Sequence, residues 1–245
     1  MKKVQKALLV LLRAGVWESK IEDLSCFPMS AGEWKNLYLL SRQQTVTGIV
    51  FQGIQHLPEH FLPAEELLVR WMAETDAIER KNIQMNKALE LLVQWFTESG
   101  VQPVLQKGQG IASLYENPLL RECGDIDFYF DSRQMFEKAF SLIRQCGLRG
   151  KVQADQSVTY AWKGVEVEHH TCLLDLHNPF LQRYAKELEQ QYGYNHMRLE
   201  GGLDVRIPSP VLNLLLQSLH ILKHALGWGI GLRQLCDMAR SCYKL

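Results

Sequence analysis

Lys107-Gly108-Gln109-Gly110-Ile111-Ala112, then a spacer through Tyr115, Pro118 and Arg121, then Gly124-Asp125-Ile126-Asp127-Phe128-Tyr129-Phe130, is the stretch whose pattern decides the fold. In a strand, residues two apart share a face, so Asp125 and Asp127 project together with about 6.6 Å of backbone rise between them. Ile126 and Phe128 then point the other way, into a core. Upstream, Val101 to Leu105 reads as a short apolar strand and Gly108 to Tyr115 as a short helix; downstream, Ser132 to Cys146 reads as a helix stopped by Gly147. Val158 to Trp162, Lys163-Gly164 and Val165 to His170 form an expected hairpin. Asn195 to Glu200 and Leu203 to Ile207, around Gly201-Gly202, form another, with Tyr184 to Gln191 a helix between the two. Strands alternating with helices and ending in hairpins predict an α+β fold over residues 101–208, a small mixed sheet with flanking helices.

Outward from this core the period is helical. Residues 1–100 carry apolar residues at 3.6-type spacing in Val4 to Leu12, Trp34 to Leu40 and, longest, Pro63 to Ser99, where Pro63 suits a first turn and Gly100 a left-handed cap. The stripe from Leu67 to Phe96 is core and carries no chemistry. Residues 209–245 return to helix, with a Gly227-Trp228-Gly229 break, and end in mid-helix at Leu245. The natural helical region is therefore expected to continue past that residue.

Of 245 residues 47% are hydrophobic and 22% charged, so the chain folds rather than staying disordered. Lys plus Arg number 27 and Asp plus Glu 27, which gives no global field for wrapping a polyanion. No apolar run approaches the roughly 20 residues that cross a bilayer. Arg13 cuts the N-terminal apolar run too early for a secretory signal. Six cysteines are scattered without Cys-x-x-Cys pairs, which fits free thiols in a cytoplasmic protein.

Two carboxylates side by side repel unless a cation lies between them, and hard oxygens of this kind suit Mg²⁺. The turn at Lys107 to Gly110 has small residues that let backbone approach an anion, Lys107 adds a positive charge, and Arg121 adds a forked one. A third carboxylate on a neighbouring strand would complete a two-metal site. Val165-Glu166-Val167-Glu168-His169-His170 supplies it, with Glu166, Glu168 and His170 on one face, and Glu168 is preferred. In the last segment His220 and His224 lie one helical turn apart without the glutamate of a zinc protease, so they read as a helix contact or a pocket wall. Lys223 lies within reach of a phosphate or remains solvated. Arg233 and Asp237, also one turn apart, are expected to form a surface ion pair.

Taken together, Lys107-Gly108, the Tyr-Pro-Arg spacer, Gly124-Asp125-Ile126-Asp127, Glu168 with His170, His220-x-x-Lys223-His224 and Leu232-Arg233-Gln234-Leu235-Cys236-Asp237 resemble the uncharacterised nucleotidyltransferase family of the DNA polymerase beta superfamily. The resemblance covers about residues 100 to 240. It implies transfer of a nucleoside monophosphate from an NTP to an acceptor hydroxyl with two Mg²⁺ ions, Asp125 and Asp127 binding both and Glu168 serving as the third carboxylate. The nucleotide would be met by Lys107, Gly108, Gln109, Arg121, His170, Lys223 and His224. The superfamily has Ser where this chain has Gln109, so phosphate binding falls to Lys107 and backbone N–H groups. Zero net charge favours a small acceptor over nucleic acid. The alternative reading is a non-catalytic nucleotide-binding module, such as half of a toxin–antitoxin pair.

Overall fold

Residues 2–176, 178–227 and 229–244 are described by the computed structural model. Trp228 and Leu245, on which the expected Gly-Trp-Gly break and the expected mid-helix ending fall, lie outside them. The helices are α1 (Lys3–Trp17), α2 (Ala31–Gln43), α3 (Thr47–Ile54), α4 (Glu65–Glu98), α5 (Gly108–Ala112), α6 (Arg133–Gln145), α7 (Pro179–Tyr192), α8 (Pro210–Gly227) and α9 (Leu232–Tyr243). The strands are β1 (Val104–Gln106), β2 (Ile126–Tyr129), β3 (Lys151–Val152), β4 (Val158–Trp162), β5 (Val165–His170), β6 (Tyr194–Arg198) and β7 (Asp204–Pro208). They form one mixed sheet in the order β3-β4-β5-β2-β1-β7-β6, so the fold is α+β. The central pair β2 and β5 is parallel, β1 runs antiparallel to β2, and β1 is parallel to β7.

Local chemistry accounts for the boundaries. Ser30 and Glu33 close a reciprocal cap at the start of α2, Glu33 N–H donating to the Ser30 hydroxyl at 3.3 Å and Ser30 N–H to the Glu33 carboxylate at 2.7 Å. Gly100 and Gly147 take the left-handed conformation just past α4 and α6, at φ 69° and 74°. Strand β1 begins at Val104 instead of Val101, because Pro103 has no N–H for a ladder and pairing starts only after it. Helix α5 is a single short turn of five residues, shorter than the segment to Tyr115 that its sequence suggests.

Two compact units share these elements. The first comprises Met1–Ile83, Ala112–Glu122 and Ile230–Arg240; the second comprises Gln84–Ile111, Cys123–Gly229 and Ser241–Leu245. In the first, α1 and α3 cross closely, and Trp71, fully buried, donates its indole N–H to the Thr47 carbonyl at 3.1 Å. Arg240 is buried there as well, donating to the Leu114 carbonyl and pairing with Glu116 at 2.9 Å.

The second unit holds the whole sheet, and alternation gives the sheet two different faces. On one, Phe128, His169 and Tyr160 pack with Phe96 and Phe130, and Trp162 stacks on Trp95 at 5.4 Å. His169 is fully buried and held neutral, since burial and the neighbouring His170 push its pKa down to about 3; the Tyr160 hydroxyl lies 2.9 Å from its Nε2. On the other face Val104 and Tyr129 pack with Leu173, Leu174, Ala185, Leu212 and Leu216, a core completed by α7 and α8. Asp127, Glu168 and His170 project from this second face.

Candidate active site

The parallel register of β2 and β5 sets Asp127 opposite Glu168, with Tyr129 opposite His170. Directly opposed residues share a face, so the two carboxylates meet without help from any loop. His170, two residues on, returns to the same face and brings its Nε2 within 2.7 Å of Asp127 Oδ1 and 3.8 Å of Glu168 Oε2. Ligand atoms of Asp127, Glu168 and His170 all lie within 4.8 Å of one another, a group able to hold a metal ion. Ser157, in the turn before β4, donates its hydroxyl to Glu168 Oε1 at 2.6 Å and fixes that carboxylate from behind. Glu166, by contrast, is exposed.

Asp125 stands just before β2, half-buried, and among the described residues it does not belong to the metal-binding group. Its charge is nevertheless felt. Burial, with repulsion from Asp127 and then Glu168 and Glu166, raises its pKa to about 6 against the partial relief offered by Lys107. Asp127 is the opposite case. Burial disfavours its charge, but Lys107, the hydrogen bond and charge of His170 and the charge of His220 outweigh that cost and hold it below the ordinary carboxylate value. Crowded carboxylates of which one resists ionisation are a donor set that fits a divalent cation.

The turn carrying Lys107 and Gly108 is left-handed at both residues, φ 42° and 41°. A Cβ added at Gly108 would come 3.3 Å from the Asp125 carbonyl oxygen, so the glycine lets this turn lie against the acidic segment. Gln109, which follows, is buried, and neither its Nε2 nor its Oε1 has a partner. A cavity of about 350 Å³ opens beside these residues, lined by Lys107, Ser157 and His170 on one side and by His220, Lys223 and the leucines of α8 on the other. Lys223 lies 3.4 Å from Asp175 in an exposed pair, and His224 packs its ring edge-on to His220 at 4.4 Å between centroids.

A family model described as an uncharacterised nucleotidyltransferase matches residues 30–245. The chain belongs to this nucleotidyltransferase family. A crystal structure of an antigenic nucleotidyltransferase-like protein from Paracoccidioides brasiliensis is similar to it at 15% identity and a TM-score of 0.46, covering 66% of this chain and 76% of that one. No curated protein matches the chain.

Two sequence expectations change with the structure. Asp237 forms no surface pair with Arg233: it is buried and takes two hydrogen bonds from Arg121, at 3.0 and 2.7 Å, and one from the Tyr115 hydroxyl at 2.8 Å. Arg233 donates instead to the Glu122 carbonyl at 2.8 Å. The physical reason is that a buried carboxylate needs several donors, and three converge on Asp237 from the 112–122 segment. Arg121, offered by the sequence as a phosphate ligand, is thus buried with its forked face engaged by Asp237. Ser157 and Gln106 were not singled out by the sequence. Ser157 lies in a turn whose partner strand is not readable in advance, and Gln106 falls one residue beyond the strand that the apolar run marks.

Proposed function

We propose that this chain transfers a nucleoside monophosphate from an NTP to the hydroxyl of a small acceptor, with a divalent cation held by Asp127, Glu168 and His170 and by Asp125 once its charge is compensated. The observation that carries the reading is the in-register opposition of Asp127 and Glu168 on adjacent parallel strands, next to a glycine turn. A bound divalent ion would supply Lewis acidity, favouring the ionised acceptor hydroxyl and offsetting phosphate charge. The chain's own groups do the positioning. Lys107 places a cation beside Asp125 and Asp127, where phosphate charge would gather. Ser157 holds Glu168 through one oxygen and leaves the other free to face His170. The leucines of α8 give the cavity an apolar wall, and a volume of about 350 Å³ suits small ligands.

The test is pyrophosphate release from the four NTPs with Mg²⁺ or Mn²⁺ over a panel of small hydroxyl-bearing acceptors. Asp127→Asn and Glu168→Gln are each expected to lower the rate more than a hundredfold while far-UV circular dichroism stays unchanged, because they remove charge from a preformed cluster without altering its shape. Wild-type rates in both variants would exclude this site. One observation favours a second reading, a nucleotide-binding module without turnover: the His170 imidazole already satisfies Asp127 Oδ1 at 2.7 Å. Tight binding of a non-hydrolysable NTP with no pyrophosphate release on any acceptor supports that module instead.

A further inference from the structure

Gln106 ends β1 and stands opposite Asp127 in the antiparallel ladder of β1 and β2. Asp127 in turn stands opposite Glu168, and Glu168 opposite Thr159 of β4. Gln106, Asp127, Glu168 and Thr159 therefore form one row across four strands on the face that carries the carboxylates. The side chain of Gln106 is 2% exposed, lines the 350 Å³ cavity next to Lys107, and its Nε2 has no hydrogen-bond partner. Burying an amide donor without a partner costs free energy, and native folds seldom carry one without a reason. Ligand-free, this donor is unmatched. A glutamine there is also a weak choice for strand or core, since a leucine or methionine of similar size would pack without that cost.

We propose that the Gln106 side-chain amide is a substrate-binding group that donates to a phosphoryl oxygen of the nucleotide held over Asp127 and Glu168. The inference rests on the nucleotidyl-transfer reading and adds to it the group that meets the phosphate where this chain lacks a hydroxyl beside the glycine turn. A phosphoryl oxygen is the acceptor that the surroundings select. Lys107, adjacent in the chain, adds positive charge, and a cation at the carboxylates would draw a second phosphate oxygen to the same row. A neutral donor suits this position because it supplies a hydrogen bond without displacing the cation by its own charge.

The experiment uses the full chain with selectively ¹⁵N-labelled glutamine side chains, the Gln106 NH₂ pair being assigned by its loss in Gln106→Met. Non-hydrolysable NTP, inorganic pyrophosphate and the free nucleoside are titrated in turn with Mg²⁺ present. The Gln106 signal is expected to shift with the NTP analogue and with pyrophosphate and to stay in place with the nucleoside. Calorimetry on Gln106→Met is expected to show about tenfold weaker binding of both phosphate ligands, the loss of one hydrogen bond to a charged partner. In the absence of ligand the same variant should melt higher than the wild type, because it removes an unmatched buried donor. That last readout separates a binding role from a structural one: a ligand-free variant that melts lower shows the amide to be satisfied inside the fold and overturns the proposal. Binding of pyrophosphate with a silent Gln106 signal, or a signal moved by the nucleoside alone, overturns it too and leaves nucleotidyl transfer standing. Failure of the wild type to bind any of the phosphate ligands removes both.

Discussion

At the scale of single residues, the most consequential group outside the site is Arg121. Its side chain and that of Asp237 are each 6% exposed, and the two are joined by two hydrogen bonds, with Tyr115 adding a third donor to the same carboxylate. The three residues come from two chain segments more than a hundred positions apart, so no local pattern announces their meeting. Burial of this kind makes removal of one partner far costlier than removal of both. Arg121→Met leaves the Asp237 charge buried beside a lone phenol, and urea unfolding should record a loss of about 3–5 kcal/mol. The double change Arg121→Met with Asp237→Leu should recover most of that, since apolar pairs of similar volume replace buried ion pairs at little cost. Arg121→Lys falls between, because an ammonium cannot reproduce the two-pronged contact. A single variant within about 1 kcal/mol of wild type would show the guanidinium to be held elsewhere in solution, and would return it to the list of groups free to meet a phosphate.

At the scale of elements, α1 and α3 meet through glycine. A Cβ on Gly53 would stand 1.9 Å from the Leu11 carbonyl oxygen, and one on Gly15 would stand 1.8 Å from the Ile49 carbonyl oxygen. Those obstacles are backbone, so neither helix can admit a methyl group without moving as a whole. Glycine to alanine in an exposed helix usually gains up to about 1 kcal/mol; here overpacking outweighs that gain. Gly53→Ala and Gly15→Ala should each destabilise the chain by at least about 2 kcal/mol in denaturant unfolding. Gly32→Ala in α2, with open space around it, should be neutral or stabilising. The same scale shows what a sequence reveals of this fold. The hairpin of β4 and β5 and the acidic strand β2 were legible because alternation and a Lys-Gly turn are local signals. Strand β3 was not, because its two residues are exposed and owe their conformation to pairing with β4. The apolar period predicts a helix from Tyr184, whereas α7 starts at Pro179, where the Asn178 side chain accepts hydrogen bonds from the Phe180 and Leu181 N–H groups; the cap lies in the sequence, but the apolar period alone does not reach back to it. For the site, the face shared by Glu168 and His170 was readable from β5 itself. The register that sets Glu168 against Asp127, and Gln106 against Asp127 on the other side, is a property of the assembled sheet.

At the scale of the whole molecule, a chain with no net charge gathers Asp125, Asp127 and Glu168 close enough that one of them is held partly neutral. Self-repulsion of that kind lowers the stability of the ligand-free fold, and a cation that relieves it must raise stability, since it binds the folded cluster and not the unfolded chain. A divalent ion at a hundred times its dissociation constant contributes about 2.7 kcal/mol, which for a chain of this size is a rise in melting temperature on the order of 5 °C or more. Differential scanning calorimetry of the chelator-treated protein, repeated with Mg²⁺ and with Mn²⁺, should show that rise, reversed by adding chelator again. If the two units melt in separate transitions, the one that moves is the transition of the unit containing the sheet, because all the donors lie in it. Asp125→Asn should melt above the wild type when no metal is present, repulsion having been removed, whereas Asp127→Asn, which gives up a charge that Lys107 and the histidines favour, should melt lower and gain nothing from either ion. A rise of the same size in Asp127→Asn would place the stabilising cation on other acidic groups of the surface and would detach the thermal response from this site.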